Sequence, residues 1–200
     1  MKPKLHIIVA STRPGRIGPS IAQWFHEFAG EHGKFEPVLV DLADFNLPVF
    51  NEPEHPRLRN YHHEHTRLWS DSVAEADAFV FVTPEYNFGP PPSLLNALNY
   101  LVAEWQYTPA GFVSYGGVSG GLRAVQLTKQ ILTTFKMMPI MEGVPMPFVF
   151  QNLENGKLKP VEIYKTSATT MLDELHLWTD ALKGVRARHK ASLERKADAA

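Results

Sequence analysis

The sequence predicts one α/β domain with a parallel sheet wound on both faces. Short apolar segments rich in β-branched and aromatic residues alternate with amphipathic segments at helical spacing. The 200 residues, 44% hydrophobic and 20% charged, suit a single core. A polar, glycine-bearing loop follows the first apolar segment, where such folds start a helix and bind ligands.

Leu5 to Ala10 is the first strand: short, β-branched and bounded by Pro3 and a Ser-Thr-Arg-Pro-Gly cluster. Ile17, Ile21, Trp24 or Phe25, and Phe28 then recur at helical spacing from about Gly18 to Glu31, with Gly30 and Gly33 as stops. Phe35 to Asp41 reads as strand two, and Leu42 to Pro56 as a proline-dotted connection. Arg57 to Ala76 has helical character, and Ala78 to Thr83 is the clearest central strand. A loop from Pro84 to Pro92 precedes a predicted helix from Ser93 to Trp105, with Leu94, Leu95, Leu98, Leu101 and Val102 on one face. Ala110 to Ser114 is strand four, Tyr115 to Gly121 a glycine-rich loop, and Leu122 to Phe135 a helix.

The last strand lies within Met137 to Phe150, interrupted by Pro139, Pro145 and Pro147. A terminal helix with the stripe Met171, Leu175, Trp178, Leu182 and Val185 closes the domain. Its charged, Ala-rich end frays beyond about Arg186, so the domain is placed at residues 1–190 and a tail at 191–200. Five strands suit the order 2-1-3-4-5, in which the chain reverses direction between strands one and three. The loops at their carboxyl ends then frame a crevice for ligand.

A formal net charge of -1 and a pI near 6.8 supply no basic field for nucleic acid or an acidic membrane. Small molecules and copies of the chain itself are the expected partners. Cysteine is absent, which removes disulfides, thiolate nucleophiles and cysteine metal sites, so redox chemistry needs a bound cofactor. The stretch Leu5 to Ala10 is too short for a signal-peptide core, and no run approaches a membrane span. A cytoplasmic protein is the expectation.

The loop Ser11-Thr12-Arg13-Pro14-Gly15-Arg16-Ile17-Gly18-Pro19-Ser20 offers hydroxyls, two arginines and glycine N–H groups at a helix start, the donors a phosphate monoester requires. It has no Walker lysine and no G-x-G-x-x-G fingerprint, which favours one phosphate over a nucleoside triphosphate or a tightly held dinucleotide. The second loop, Pro84 to Pro92, carries two aromatics and an amide on a proline-stiffened backbone, able either to wall a planar heterocycle or to pack on the core. The third, Ser114 to Gly121, allows close backbone approach beside an aromatic, though four glycines also suit a flexible turn.

Taken together, Ser11-Thr12-Arg13-Pro14-Gly15-Arg16 with Gly18, then Pro84-Glu85-Tyr86-Asn87, then Ser114-Tyr115-Gly116-Gly117, in this order and spacing, resemble the NADPH-dependent FMN reductase family of flavin, quinone, azo-dye and chromate reductases. The similarity runs from about Leu5 to Met138. It implies a flavodoxin-like three-layer sandwich, bound FMN, NADPH or NADH as co-substrate, a small-molecule electron acceptor, and a homodimer or homotetramer. By position it implies that Ser11, Arg13 and Ser20, with Arg16, Ile17 and Gly18, hold the FMN phosphate. Pro84, Glu85, Tyr86 and Asn87 then lie along the isoalloxazine, and Ser114, Tyr115, Gly116 and Gly117 close its far side. No side chain is assigned as catalytic acid or base, because the flavin carries the chemistry.

The sequence departs from the family pattern at Ala10, Pro19, Leu95 and Asn99. A flavodoxin-type electron carrier is the alternative on the same fold, but the near-neutral charge and Arg13 speak against it. His55, His62, His63 and His65 read as polar surface residues and not a metal site, and Trp69 and Trp105 as core aromatics. Glu104 to Tyr107 is a candidate substrate or subunit contact.

Overall fold

The computed structural model describes residues 1–197, with the side chains of residues 194, 196 and 197 left aside. Its five-stranded parallel sheet has the order β2-β1-β3-β4-β5, the order expected. The strands are β1 (Lys4–Val9), β2 (Glu36–Asp41), β3 (Ala78–Pro84), β4 (Pro109–Tyr115) and β5 (Met138–Met146). Side chains alternate between faces of a strand, so the continuous apolar runs fill both layers. Leu5, Ile7, Val9, Val80 and Val82 face α1 (Gly18–His32) and α5 (Glu162–Ala197), meeting Ile21, Phe25, Met171 and Leu175. Ile8, Phe79, Phe81 and Phe112 face α2 (Glu64–Glu75), α3 (Pro92–Asn99) and α4 (Leu122–Thr134). Each fully buried Phe or Ile contributes about 1.5–3 kcal/mol relative to exposure.

β5 forms the sheet edge and pairs with β4 alone. That position explains how a strand carries Pro139 and Pro145, since only one of its sides donates to a ladder. Its register against β4 shifts between Ala110 and Phe112, which leaves Met141 exposed.

Two helices are shorter than their periodicity suggests. The stretch Arg57–Ala76 divides into a 3-10 turn at Pro56–Leu58 and α2 from Glu64, because Arg59 is left-handed and breaks the run. The buried Glu52 carboxylate accepts the N–H groups of His62 and His63 at 2.8 and 3.1 Å, fixing the start of α2. α3 ends at Asn99, and the chain then turns inward. Trp105 is fully buried and donates its indole N–H to Leu98 O at 3.2 Å; Trp69 does the same to Ala97 O at 2.9 Å. Glu104 is buried as well, accepting from Ser70, Tyr61 and Arg59. Trp105 is thus the core aromatic expected, and of the segment 104–107 considered for a substrate or subunit contact only Gln106 and Tyr107 keep surface, because Glu104 and Trp105 turn into the second layer.

A two-stranded hairpin, β6 (Leu153–Glu154) and β7 (Lys157–Leu158), was not anticipated, although its Asn155-Gly156 turn, with both residues at positive φ, is the usual signal. α5 continues to Ala197; of the tail expected at 191–200, residues 198–200 lie outside the described residues. No described helix is long and apolar enough to cross a membrane.

Candidate active site

The carboxyl ends of β1, β3 and β4 carry the three loops singled out above, and the pairing of β3 with both neighbours holds them side by side. A cavity of about 160 Å³ between them is lined by Arg13, Arg16, Ile17, Pro84, Glu85, Tyr86, Tyr115, Gly116 and Gly117. Nine of the fourteen residues expected at the site thus share one cavity, although they come from three distant stretches of chain. A larger cavity of about 800 Å³ lies at the opposite end of the sheet. Size does not decide between them: parallel sheets bind ligands at strand carboxyl ends, where the chain direction switches.

In the first loop, Ser11 Oγ lies 2.8 Å from Tyr86 Oη, and Arg13 Nε donates to the same oxygen at 3.1 Å. Two polar groups of loop one, the Ser11 hydroxyl and the Arg13 guanidinium, therefore already meet at one oxygen. Arg13 has no carboxylate partner among the described residues, so its charge remains for an anion. Arg16 differs: its Nη2 pairs with Asp41 at the end of β2 at 2.5 Å. α1 starts with no acidic side chain in its first turn, leaving the positive end of its dipole uncompensated from within the helix. Pro19 sits in that first turn, where a missing N–H costs nothing because the donor has no intrahelical acceptor. Gly18 is required by contact: a Cβ there would lie 2.9 Å from Tyr115 Oη and 3.2 Å from a methyl of Val9. The hydroxyl of Ser20 points to the β6-β7 hairpin instead, accepting the Leu158 N–H at 2.8 Å.

The second loop is a tight turn. Tyr86 and Gly89 exchange two backbone hydrogen bonds of 2.9 Å, and Asn87 and Phe88 between them are both left-handed. Asn87 is therefore exposed at the turn tip and does not line the cavity. Glu85 points under the turn and is almost wholly buried. Its carboxylate accepts from Arg123 Nε at 2.7 Å, from Arg123 Nη2, from the Arg123 backbone N–H at 3.2 Å and from Ser119 Oγ at 2.8 Å. Burial pushes this carboxyl up, but the bonds from Arg123 and Ser119 outweigh it and hold its pKa below the usual range. Glu85 thus ties loop two to loop three and supplies an acceptor to the first turn of α4, which has no acidic residue of its own.

In the third loop Ser114 is buried and donates to Gly120 O at 2.8 Å, which folds the loop on itself. Gly121 is left-handed, and a Cβ there would meet Ser114 Cβ and Tyr115 N at 2.8 Å. Gly117 has nothing within 4 Å of where its Cβ would be, so its backbone faces open space. Tyr115 is buried, and desolvation raises its pKa well above the ordinary phenol value, so it stays protonated.

Sequence reasoning missed four residues here. Arg123 and Ser119 lie in or after the glycine run and reveal themselves only through Glu85. Phe150 lines the cavity from the segment after β5, and Phe148 beside it is left-handed, its N–H held by Gly117 O at 3.1 Å. The histidines lie elsewhere: His63 and His65 stack at 5.0 Å and bond to Asn51, and His62 reaches Glu54 at 3.4 Å. Of the departures noted above, Ala10 is buried, with its carbonyl accepting from Ser93, and Asn99 donates to Leu95 O along α3.

The sequence model of the NADPH-dependent FMN reductase family matches residues 3–151. An NAD(P)H-dependent FMN reductase of Schizosaccharomyces pombe is 42% identical over 149 residues, covering 72% of this chain and 74% of that protein. A quinone reductase of Pseudomonas putida is 30% identical over 142 residues, 68% of this chain and 72% of the relative. Among solved structures, the flavoenzyme NAD(P)H:(acceptor) oxidoreductase FerB of Paracoccus denitrificans superposes with a TM-score of 0.72 at 19% identity, covering 90% of this chain and 98% of that one, a likeness of fold.

Proposed function

The chain belongs to the NADPH-dependent FMN reductase family, and on that footing we propose that its three loops hold FMN and serve NAD(P)H-dependent reduction of a small acceptor, a flavin, quinone, azo compound or metal oxyanion. The observation that carries this reading is the shared cavity, which brings residues from three loops together at the switch point of the sheet.

The donor set fits the cofactor. Arg13 without a carboxylate partner, Ser11 beside it and the acid-free start of α1 suit a phosphate monoester. A phosphate bound by these donors competes with the Tyr86 phenol for them. Arg16, Ile17 and Gly18 complete the loop, with the Arg16 charge shared with Asp41. Pro84 and Tyr86, and across from them Tyr115, Gly116 and Gly117, form walls for a planar ring, and Gly117 admits it close to the backbone. Glu85, Asn87, Ser114 and Ser20 act by shaping these loops: their side chains are bonded within the protein or sit at the turn tip.

When bound, FMN supplies the hydride acceptor and the path for electrons to the second substrate. The protein's part is to orient ring and phosphate and to present N–H groups where negative charge develops. Tyr115, kept neutral by burial, holds its proton beside Gly18 throughout. The exposed Phe88, Val118, Phe148 and Phe150 around the site suit assembly as a homodimer or homotetramer in the cytoplasm, with this rim covered.

The test is an absorption spectrum of the purified protein before and after anaerobic addition of NADPH or NADH. A flavin spectrum that bleaches, with steady turnover on adding a quinone, is expected. A colourless protein that cannot take up FMN refutes the reading.

A further inference from the structure

The 800 Å³ cavity at the other pole is built by the turns that lead into the strands and by the outer half of α5. Lys2, Lys34, Asp77 and Tyr107 come from the segments just before β1, β2, β3 and β4; Lys183, Arg186 and Lys190 come from the helix. Five cationic side chains thus line it against two carboxylates, those of Asp77 and Asp180. Asp77 accepts the Lys4 backbone N–H at 2.9 Å, and Asp180 lies 3.6 Å from His176 Nδ1. Lys34 is paired with Asp173. Lys2, Lys183 and Arg186 have no carboxylate within ion-pair reach among the described residues.

Arg186 is the unusual member. It is 7% exposed, yet its bonds run only to carbonyls: Nη2 to Ala76 O at 2.7 Å, and Nη1 to Gln106 O at 3.1 Å and Glu104 O at 3.4 Å. Its Nε is buried with no hydrogen-bond partner. Carbonyl dipoles satisfy donors without cancelling a net charge, and the carboxylate that acts on this buried cation, Asp77, stands outside ion-pair distance. Burial lowers its pKa to about 10, which still leaves it charged at neutral pH. Beside it Tyr107 is held left-handed, a backbone cost that packing must sustain.

We propose that this cleft is a binding site for a small phosphorylated molecule carrying at least two phosphate groups, received by Arg186 at its base and by Lys2 and Lys183 at its mouth. A guanidinium and ammonium groups are the pairing that phosphate oxygens select. The cavity has the size of a small-molecule site. The chain's net charge of -1 supplies no extended basic field of the kind a nucleic acid or a membrane selects. The site is distinct from the three loops, so its test stands apart from the flavin reading.

The experiment is isothermal titration of the full chain with pyrophosphate at constant ionic strength and saturating FMN, which keeps the other phosphate site filled. Inorganic phosphate and sulfate serve as comparison ions. Expected is saturable one-site binding of pyrophosphate, tighter than either comparison ion, and weakened at least tenfold in Lys183→Glu but not in Lys157→Glu on the β6-β7 hairpin. Arg186→Lys, checked by circular dichroism, is expected to weaken it further while keeping the charge; if that variant fails to fold, Lys183→Glu decides. No saturable heat, an affinity equal to that for sulfate, or equal losses in the two glutamate variants would mean an adventitious ion only and would overturn the proposal.

Discussion

Replacing Glu85 by alanine removes the tie between the second and third loops, and its cost follows from what the carboxylate holds. The contact with Arg123, whose Nε and Nη2 converge on one carboxylate oxygen, has one partner nearly buried and the other 44% exposed, so solvent screening keeps it near the upper end for surface pairs, about 1 kcal/mol. The bond from Ser119 reaches a charged acceptor and contributes about 1.5 kcal/mol. The Arg123 N–H lies in the first turn of α4, where losing an acceptor costs about 1 kcal/mol. Partial relaxation of the loops brings the expected loss to about 2–3 kcal/mol, a fall in Tm of roughly 4–12 °C for a chain of this size. The assay is thermal unfolding of wild type, Glu85→Ala, Arg123→Ala and the double variant, with a coupling of about 1 kcal/mol expected for residues in direct contact. Strictly additive effects, or a Glu85→Ala loss below about 0.5 kcal/mol, would show that the tie is not a stabilising interaction.

The same carboxyl sets a pH dependence. Because its pKa is lowered in the folded state, its contribution is fully present above the ordinary glutamate value and is lost as pH falls through the lowered one; acid unfolding of Glu85→Gln should therefore be less steep than wild type over that range. Arg13→Ala should weaken FMN by about 1.5–3 kcal/mol, roughly 10- to 150-fold in Kd, by removing a charge-assisted contact; unchanged affinity in a fluorescence titration would place the phosphate elsewhere. Two glycines of the third loop should separate folding from binding. Gly121→Ala, strained at φ +86 and colliding with β4, should lower Tm, with about 1–3 kcal/mol from backbone strain alone, whereas Gly117→Ala should leave Tm within about 1 °C and weaken FMN. Equal FMN affinity in Gly117→Ala would remove that residue from the site.

Much of the fold could be read before any coordinates. Continuous apolar strands such as Leu5–Ala10 and Ala78–Thr83 announce burial on both faces, and their alternation with helices leaves few sheet orders to consider. Helix ends were less legible. The stretch Ser93–Trp105 keeps an apolar face throughout, yet only its first part is helical, because Trp105 gains more by entering the second layer than by extending α3. Periodicity reports which residues seek burial and is silent on whether a helix or a turn delivers them. Glu104 shows the same limit: expected in a substrate or subunit contact, it is buried because Ser70, Tyr61 and Arg59 converge on it from other segments.

By itself the sequence determined the layer architecture, the family and the three loops that meet at one end of the sheet, since these rest on local patterns and on chain order. Only the tertiary structure decided what each side chain in those loops does. Arg13 and Arg16 look alike in sequence, but among the described residues one has no carboxylate beside it and the other is paired with Asp41, while Glu85 is taken by Arg123 from beyond the glycines. Hydrogen bonds and ion pairs depend on distances of a few ångströms between residues far apart in the chain. Folding sets those distances, and the identity of a residue does not.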